Sequence, residues 1–252
     1  MNLHLIVEVL PLLIEGMLLT AQLTVTSVAM GLLIAVPLAL LRTSPWPVFS
    51  HAILLYTFVF RGTPLLVQLF LIYYGAGQVE WIRSSVAWSI LREPYWCALI
   101  TFSLNNAAYT TEILRGGIRA VPAGEIEAAK ALGMSYALRI RRIVLPVGFR
   151  LALPAYANEV VLMLKASSLA STITLMELTG TGRKIVAQTF SPYEVFISAA
   201  LIYLGLTFVI VHFFGQLERH MAKHQRRIDP SNNSRSRPSA AEKMSASQEL
   251  AS

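Results

Sequence analysis

The stretch EAAKALGMSYALRIRRIVLP, residues 127–146, is the longest polar and basic interruption in an otherwise apolar chain. Residues 125–132 are good helix formers, and Gly133 suits the left-handed conformation that ends a helix. Ser135 suits the cap of a following helix. The stretch therefore predicts two short helices joined by a bend. The alanines of the first helix give a small, flat surface against which another protein can lie closely.

The composition of the whole chain indicates an integral membrane protein. Of its 252 residues, 55% are hydrophobic and 14% are charged, and the mean hydropathy is +0.56. These values are too apolar for a soluble domain of this size. The formal net charge of +7 lies mainly in residues 127–146 and in the C-terminal tail. Because cytoplasmic loops of membrane proteins are rich in Lys and Arg, this charge indicates orientation in a membrane rather than nucleic-acid binding.

Five apolar runs predict five transmembrane helices, since about 20 apolar residues cross a bilayer. The second run is interrupted by Arg61, Gly62, Thr63 and Pro64, through which a helix is not expected to continue unaltered. Residues 1–16 are expected to form an interfacial lead-in outside the membrane, and residues 221–252 a disordered cytoplasmic tail. The five runs are residues 17–41, 48–75, 95–114, 151–169 and 193–214.

The distribution of basic residues predicts the orientation. Cytoplasmic loops carry an excess of Lys and Arg, so the loop between the third and fourth spans is expected inside. This places the N-terminus outside and the C-terminus in the cytoplasm. The loop carries Arg115, Arg119, Lys130, Arg139, Arg141, Arg142 and Arg150, against only Arg83 and Arg92 in the preceding loop.

The order Glu-Ala-Ala, three residues, Gly, nine residues, Ile-x-Leu-Pro resembles the signature loop of ATP-binding-cassette importer permeases. In that family the loop, here residues 119–146, forms the coupling helix that docks in a groove of the ATPase subunit. The alternative is an ordinary alanine-rich cytoplasmic helix whose arginines only set the topology. The residues that match the signature are Glu127, Ala128, Ala129, Gly133, Ile143, Leu145 and Pro146.

Three further stretches resemble the polar amino acid branch of these importers: FRGTPLLVQLF (60–70), NNAAYTTEILRGGI (105–118) and LPAYANEVVLMLKASSLAS (153–171). Within it they are most similar to the histidine, lysine, arginine, ornithine and opine permeases. The resemblance covers residues 17–220 and implies an all-α, type I importer (MetI-like) permease fold with five transmembrane helices in a bacterial inner membrane. It also implies three kinds of partner: two ATPase subunits, a homologous permease subunit or second copy, and a periplasmic amino acid binding protein.

The resemblance further implies that the chain is not an enzyme and that ATP and Mg²⁺ are bound by the partner ATPase. Gly180, Gly182 and Lys184 lack the spacing of a phosphate-binding loop. The histidines are scattered and Cys97 is the single cysteine, so the sequence predicts neither a metal site nor an intrachain disulfide.

Polar side chains within the apolar runs are the candidate substrate path. An ionisable residue at the bilayer centre costs about 2.5–3.5 kcal/mol, so such residues are expected to meet a partner, water or a ligand. On helices, Asn105, Tyr109 and Glu112 share one face, and Asn158 and Lys165 share another. The alternative is that these side chains lock neighbouring helices or reach the interface by snorkelling. The candidates are Arg61, Gln68, Asn105, Tyr109, Glu112, Asn158, Glu159 and Lys165.

These observations predict a permease subunit that imports a polar, basic amino acid such as histidine, arginine, lysine, ornithine or an opine. The carboxylate of Glu159 suits a cationic substrate side chain. One alternative is a permease for amino acids of the glutamine or glutamate type. Others are a self-sufficient channel or secondary carrier, and a scaffold whose loop only recruits a cytoplasmic partner.

Overall fold

The computed structural model describes residues 3–43 and 47–226, and every regular element in these residues is helical. The tail expected from residue 221 lies outside the described residues beyond residue 226. Short π-helical or 3₁₀ turns occupy Leu71–Gly75, Ala76–Gln78, Ile140–Val144 and Ser167–Ile173. The α-helices are α1 (Leu3–Arg42), α2 (Pro47–Gly62), α3 (Leu65–Phe70), α4 (Glu80–Arg83), α5 (Trp88–Leu91), α6 (Pro94–Arg119), α7 (Ala123–Ala131), α8 (Tyr136–Arg139), α9 (Leu145–Ala166), α10 (Leu178–Thr189) and α11 (Pro192–Arg226).

Three stretches of the described residues are long and apolar enough to cross a membrane: His4–Thr43, Tyr136–Ile173 and Pro192–Met221. The bent pair Pro47–Gly62 and Leu65–Gln78 qualifies as a fourth. Helix α6 is not among them because it carries many threonines, serines and asparagines, which the neighbouring helices bury. The number of five transmembrane helices therefore stays a prediction.

The helical bend predicted at Arg61–Pro64 is confirmed. Helix α2 ends at Gly62, and the following segment turns away by 102°. Pro64 has the extended backbone angles φ −62° and ψ 131°, so α3 begins only at Leu65. Proline has no N–H to donate and disfavours the helical conformation at the residue before it, and together with the flexible Gly62 this accounts for the break.

Helix α1 runs without a break through residue 16, where the lead-in was expected to end. Val9 and Leu13 are buried and pack against Leu178 of α10 and Val195 of α11. The first residues of α1 thus belong to a hydrophobic core, because their apolar side chains have α10 and α11 to pack against.

Helix α6 lies at the centre of the described residues up to 214 and contacts α1, α2, α3 and α9. Towards Pro94 it packs through Phe102, with Leu23 and Met163 in the same core cluster. Towards Arg119 the core cluster includes the small residues Ala35 and Ala39 of α1 and Ala152 of α9. Small side chains let helix backbones approach closely within a membrane.

The closest approach of α6 and α9 is a crossing of two glycines. A Cβ atom on Gly117 would overlap with the carbonyl oxygen of Gly148. A Cβ atom on Gly148 would lie 3.0 Å from Cα of Ile118. The neighbouring Gly116 faces open space. The two helices therefore meet backbone to backbone at Gly117 and Gly148.

Candidate coupling surface and substrate path

The loop between α6 and α9 has the two-helix structure that its sequence predicts. Helix α7 ends in a left-handed turn at Gly133, whose φ is +72°. The N–H of Gly133 donates to the carbonyl of Lys130 (2.9 Å), and the N–H of Met134 donates to that of Ala129 (3.1 Å). This is the Schellman pattern of a helix end. Ser135 then caps α8 by accepting from the N–H of Leu138 at 3.4 Å.

The outer surface of this loop combines alanine with large apolar side chains. Glu127 and Ala128 are exposed, whereas Ala129 faces inward and is buried. Leu132 and Tyr136, on either side of the bend, are 82% and 61% exposed. Ile143 and Leu145 are half-buried where the loop joins α9, and Pro146 is exposed. Exposed apolar side chains on both sides of a bend are suited to contact with another protein.

Glu159 is a buried carboxylate in the middle of α9. Its Oε1 lies 3.5 Å from the amide nitrogen of Asn106 on α6, and Thr110 donates to the amide oxygen of Asn106 at 3.4 Å. Gly31 of α1 packs directly against this amide, since a Cβ atom there would overlap with the side chain of Asn106. Glu159 takes part in no salt bridge among the described residues.

Arg61 brings a positive charge to the same region from the end of α2. Its guanidinium carbon lies 5.2 Å from the ring centroid of Tyr109, whose hydroxyl donates to the Arg61 carbonyl at 3.3 Å. Arg61 forms no salt bridge with Glu159 or with any other described residue. Arg61 is itself exposed. Arg61 and Glu159 are therefore both without an ion-pair partner among the described residues.

Two of the candidate path residues stabilise the bend between α2 and α3. The amide nitrogen of Gln68 donates to the carbonyl of Phe60 at 2.8 Å and to the hydroxyl of Thr63 at 2.7 Å. The amide nitrogen of Asn105 donates to the oxygen of Gln68 at 3.1 Å and to Phe60 at 3.2 Å. These bonds satisfy carbonyl groups that the break in the helix leaves free, as buried backbone requires.

Glu112 stabilises the contact of three helices near the Arg119 end of α6. Its carboxylate lies 2.6 Å from Nε of Arg115 and 3.7 Å from Nε of Arg42 on α1. The hydroxyl of Thr57 on α2 lies 3.5 Å from the same carboxylate. The geometry favours the helix-locking alternative for this candidate.

Lys165 lines a cavity of about 470 Å³ between the end of α9 and the helices α10 and α11. Its ammonium forms no hydrogen bond or salt bridge within residues 4–43 and 47–221. Asn158 is exposed on α9. The cavity is lined by Lys165, Ser168, Thr179, Ala200, Tyr203, Leu204 and Thr207.

Two polar residues of this region are absent from the predicted set. Asn106 follows Asn105 directly and so lies about 100° around the helix, on a different face. Glu177 is fully buried and caps α10. Helical periodicity alone gives no signal for the choice between Asn105 and Asn106. The sequence did not indicate that Glu177 caps a helix, because Ser, Thr, Asp and Asn are the usual capping residues.

The family described as binding-protein-dependent transport system inner membrane component matches residues 27–223 of the chain. The nopaline transport system permease protein NocM of Agrobacterium fabrum is 48% identical over 227 residues, which cover 90% of this chain and 94% of NocM. The histidine/lysine/arginine/ornithine transport system permease protein HisM of Salmonella typhimurium is 42% identical over 83% of this chain and 89% of HisM.

Solved structures of related transporters have the same fold. The crystal structure of an amino acid ABC transporter with histidines superposes with a TM-score of 0.78 at 33% identity, over 87% of this chain and 99% of that one. A chain of the MetNI methionine ABC transporter superposes with a TM-score of 0.71 at 17% identity, over 85% and 98% of the two chains. The chain thus has the MetI-like permease fold and belongs to the inner membrane components of binding-protein-dependent transport systems, as a permease subunit of an ATP-binding-cassette importer.

Proposed function

We propose that this permease subunit moves a polar amino acid with a cationic side chain, or an opine derived from one, inward across the membrane. The observation that carries this proposal is Glu159, a buried carboxylate of α9 that has Asn106 at 3.5 Å and no salt bridge among the described residues. The relatives support it, because histidine, lysine, arginine and ornithine all have side chains that can carry a positive charge.

The physical argument is the cost of an unpaired charge in the membrane. A carboxylate in a region of low dielectric is stabilised strongly by a nearby cation, and Glu159 has no cation in direct contact. A substrate guanidinium, ammonium or imidazolium supplies that cation during passage. Arg61 and Lys165, both exposed, offer the opposite charge to a substrate carboxylate.

Replacing Glu159 with glutamine is expected to lower arginine uptake at least tenfold. A hydrogen bond to a charged group contributes about 1.5–3 kcal/mol, and the neutral amide removes the charge while keeping the shape. The measurement is uptake of labelled arginine, together with the amount of permease in the membrane and the basal ATPase activity, which should both stay unchanged. Glu8→Gln, at an exposed carboxylate, is the control and should transport normally. If the Glu159 variant instead failed to fold, the role of the Glu159 carboxylate would be in stability and not in substrate passage.

The substrate class itself is tested by uptake in cells with and without this chain. Loss of labelled arginine or histidine uptake on deletion supports the proposal. Loss of glutamine or glutamate uptake alone would keep an amino acid importer but would contradict the cationic substrate and the role given to Glu159.

The proposed assembly contains this subunit, a second permease subunit that is identical or homologous, two ATPase subunits and a periplasmic binding protein. ATP and Mg²⁺ are bound by the ATPase, and the N-terminus lies outside the membrane with the C-terminus in the cytoplasm. The basic residues between α6 and α9 support this orientation. The exposed apolar side chains of Leu132 and Tyr136 support docking of the ATPase on residues 119–146.

Replacing Gly133 with valine is expected to prevent association with the ATPase while the permease still inserts. A left-handed backbone costs an L-residue about 1–2 kcal/mol, and more for a β-branched one, so the bend between α7 and α8 would rearrange. Co-purification of the ATPase and uptake are the measurements. Gly133→Asn should retain both, because asparagine tolerates this conformation. Gly205→Val, in open space on α11 and outside the coupling loop, is the second control. Normal docking and uptake by Gly133→Val would remove the coupling role from this bend.

A further inference from the structure

A groove of about 240 Å³ lies between the two limbs of the bend that joins α2 to α3. Residues of α2 line one side, and residues of α3 and of the π-helical turn that follows it line the other. The side chains of Val59, Val67 and Leu71 are 46%, 47% and 67% exposed, so the groove is open to its surroundings. Its apolar lining consists of Val59, Phe60, Val67, Leu71 and Ile72.

The lining also includes two polar side chains, Thr63 and Gln68, and both are already engaged in hydrogen bonds. The hydroxyl of Thr63 donates to the carbonyl of Val59 at 2.8 Å and accepts from the amide nitrogen of Gln68 at 2.7 Å. That nitrogen also donates to the carbonyls of Phe60 and Thr63. The amide oxygen of Gln68 accepts from Asn105 at 3.1 Å. The side chains of the groove therefore have no unused donor for a polar ligand.

No charged residue lines the groove. Arg61, the one Lys, Arg, Asp or Glu of residues 48–79, follows Val59 by two positions and so lies about 200° around α2 from it. Its guanidinium stacks on the ring of Tyr109 instead. The groove is thus separate from the polar side chains of the candidate substrate path, although it belongs to the same bend.

The surroundings of the groove are apolar as well. Leu55 and Phe58 share one face of α2 with Val59 and are 64% and 73% exposed. A water molecule needs about two to four polar partners, which this lining does not offer, and an empty groove loses dispersion contacts. Small-molecule sites are larger, at roughly 300–1,000 Å³, and contain polar groups that orient the ligand. A narrow hydrocarbon chain meets all these conditions.

We propose that this groove binds one acyl chain of a membrane phospholipid. The bent pair of helices is apolar enough to cross a membrane, and the exposed face of Leu55, Phe58 and Val59 leads from the groove to the surrounding lipid. The chain packs between Val59 on one limb and Val67 and Leu71 on the other, so it supports the bend from the side opposite to Arg61. This inference does not depend on which substrate is carried.

The test uses the permease–ATPase complex in nanodiscs of phosphatidylcholine and phosphatidylglycerol, with a photoreactive diazirine in one acyl chain of the phosphatidylglycerol. Mass spectrometry after illumination locates the lipid adducts. Phe60 and Ile72 are half-buried, so bulk lipid reaches them only by entering the groove. We expect adducts on both, counted relative to adducts on the exposed Phe208 of α11.

Val67→Trp should lower the adducts on Phe60 and Ile72 about tenfold, because a tryptophan side chain buries about 150–250 Å² and fills a groove of this size. Val59→Trp fills the groove from the other limb and should have the same effect. Val48→Trp is the matched control, since Val48 is 76% exposed on the same helix and lies outside the lining. It should leave the adducts unchanged. Absence of adducts on Phe60 and Ile72 in the wild-type complex, or equal loss in all three variants, would overturn the proposal.

Two further measurements identify other occupants. Because Cys97 is the single cysteine, Val67→Cys in a Cys97→Ala background gives one thiol in the groove. It should react far more slowly with a membrane-impermeant maleimide than Ser84→Cys in the same background, at an exposed position of the preceding loop to α6. Equal reaction rates would show a water-filled groove. A diazirine amino acid at position 67 that cross-links to a second permease subunit rather than to lipid would assign the groove to a subunit interface. Either result would contradict the lipid site.

Discussion

Replacing Gly117 with valine is expected to prevent the permease from accumulating in folded form, whereas Gly116→Val, one residue earlier, is expected to be tolerated. A Cβ atom on Gly117 would overlap with the carbonyl oxygen of Gly148 and would lie 2.8 Å from Cβ of Ala152. Both obstacles belong to α9 and neither is the flexible end of a side chain. Overpacking a tight core costs typically about 1–3 kcal/mol and more where backbone must move, so we expect about 3 kcal/mol or more here.

The measurement is size-exclusion chromatography of fluorescent fusions of both variants in mild detergent. Gly116 is the control because it is also a glycine of α6, but a Cβ atom there would meet no neighbouring helix or side chain within 4 Å. It therefore reports the effect of valine on helix propensity alone, which is small for an exposed position. A monodisperse Gly117→Val protein at wild-type yield would show that α6 and α9 do not need this close approach.

Replacing Glu112 with alanine is expected to lower the free energy of unfolding by about 3 kcal/mol. Removing one partner of a buried ion pair costs about 3–5 kcal/mol, because the remaining charge is left unpaired, and these side chains are not completely buried. Here two cations lose their partner: the side chains of Arg42 and Arg115 are 15% and 22% exposed, and that of Glu112 is 12% exposed. The contact between α1, α2 and α6 should loosen as a result.

Glu93→Ala is the control for this prediction. Glu93 pairs with Arg92 at 3.7 Å, but the two side chains are 57% and 61% exposed. An exposed pair contributes only about 0–1 kcal/mol, so its loss should leave the unfolding temperature almost unchanged. The measurement is the thermal unfolding temperature of both purified variants. Equal shifts for Glu93→Ala and Glu112→Ala would show that the Glu112 cluster acts as an ordinary surface pair.

Local chemistry explains what the sequence could predict about the fold. Pro64 disfavours continuation of the helix, most strongly beside the flexible Gly62, and the predicted break lies there at a 102° bend. Gly133 and Ser135 carry their conformational preferences with them, so the helix, bend and helix of the coupling loop could be predicted without knowledge of the neighbours. The continuation of α1 through residue 16 could not be predicted, because it depends on the packing of Val9 and Leu13 against α10 and α11.

The candidate site was harder to predict because a polar residue in a span does not indicate its own partner. Helical periodicity placed Asn105 and Glu112 on one face, and that face does lie against α2. It gave no indication that Asn105 donates to a backbone carbonyl or that Glu112 pairs with arginines of the same chain. Asn106 was missed because periodicity does not distinguish it from Asn105, and Glu177 because glutamate is not a usual helix cap. Each has a partner distant in sequence, Glu159 and Tyr203 respectively.

The crossing of Gly117 and Gly148 has a mechanical consequence. The two glycines lie just outside the two ends of residues 119–146, so the coupling loop is a ring of chain closed at its base by direct backbone contact. Opening such a ring like a hinge would separate this packing contact, so we expect the ring to move as a unit when its tip is displaced. A displacement of the bend at Gly133 is therefore expected to reach α6 and α9 together, as one rigid shift. Asn106 lies on α6 and Glu159 on α9, so the same shift moves both side chains of the candidate path together.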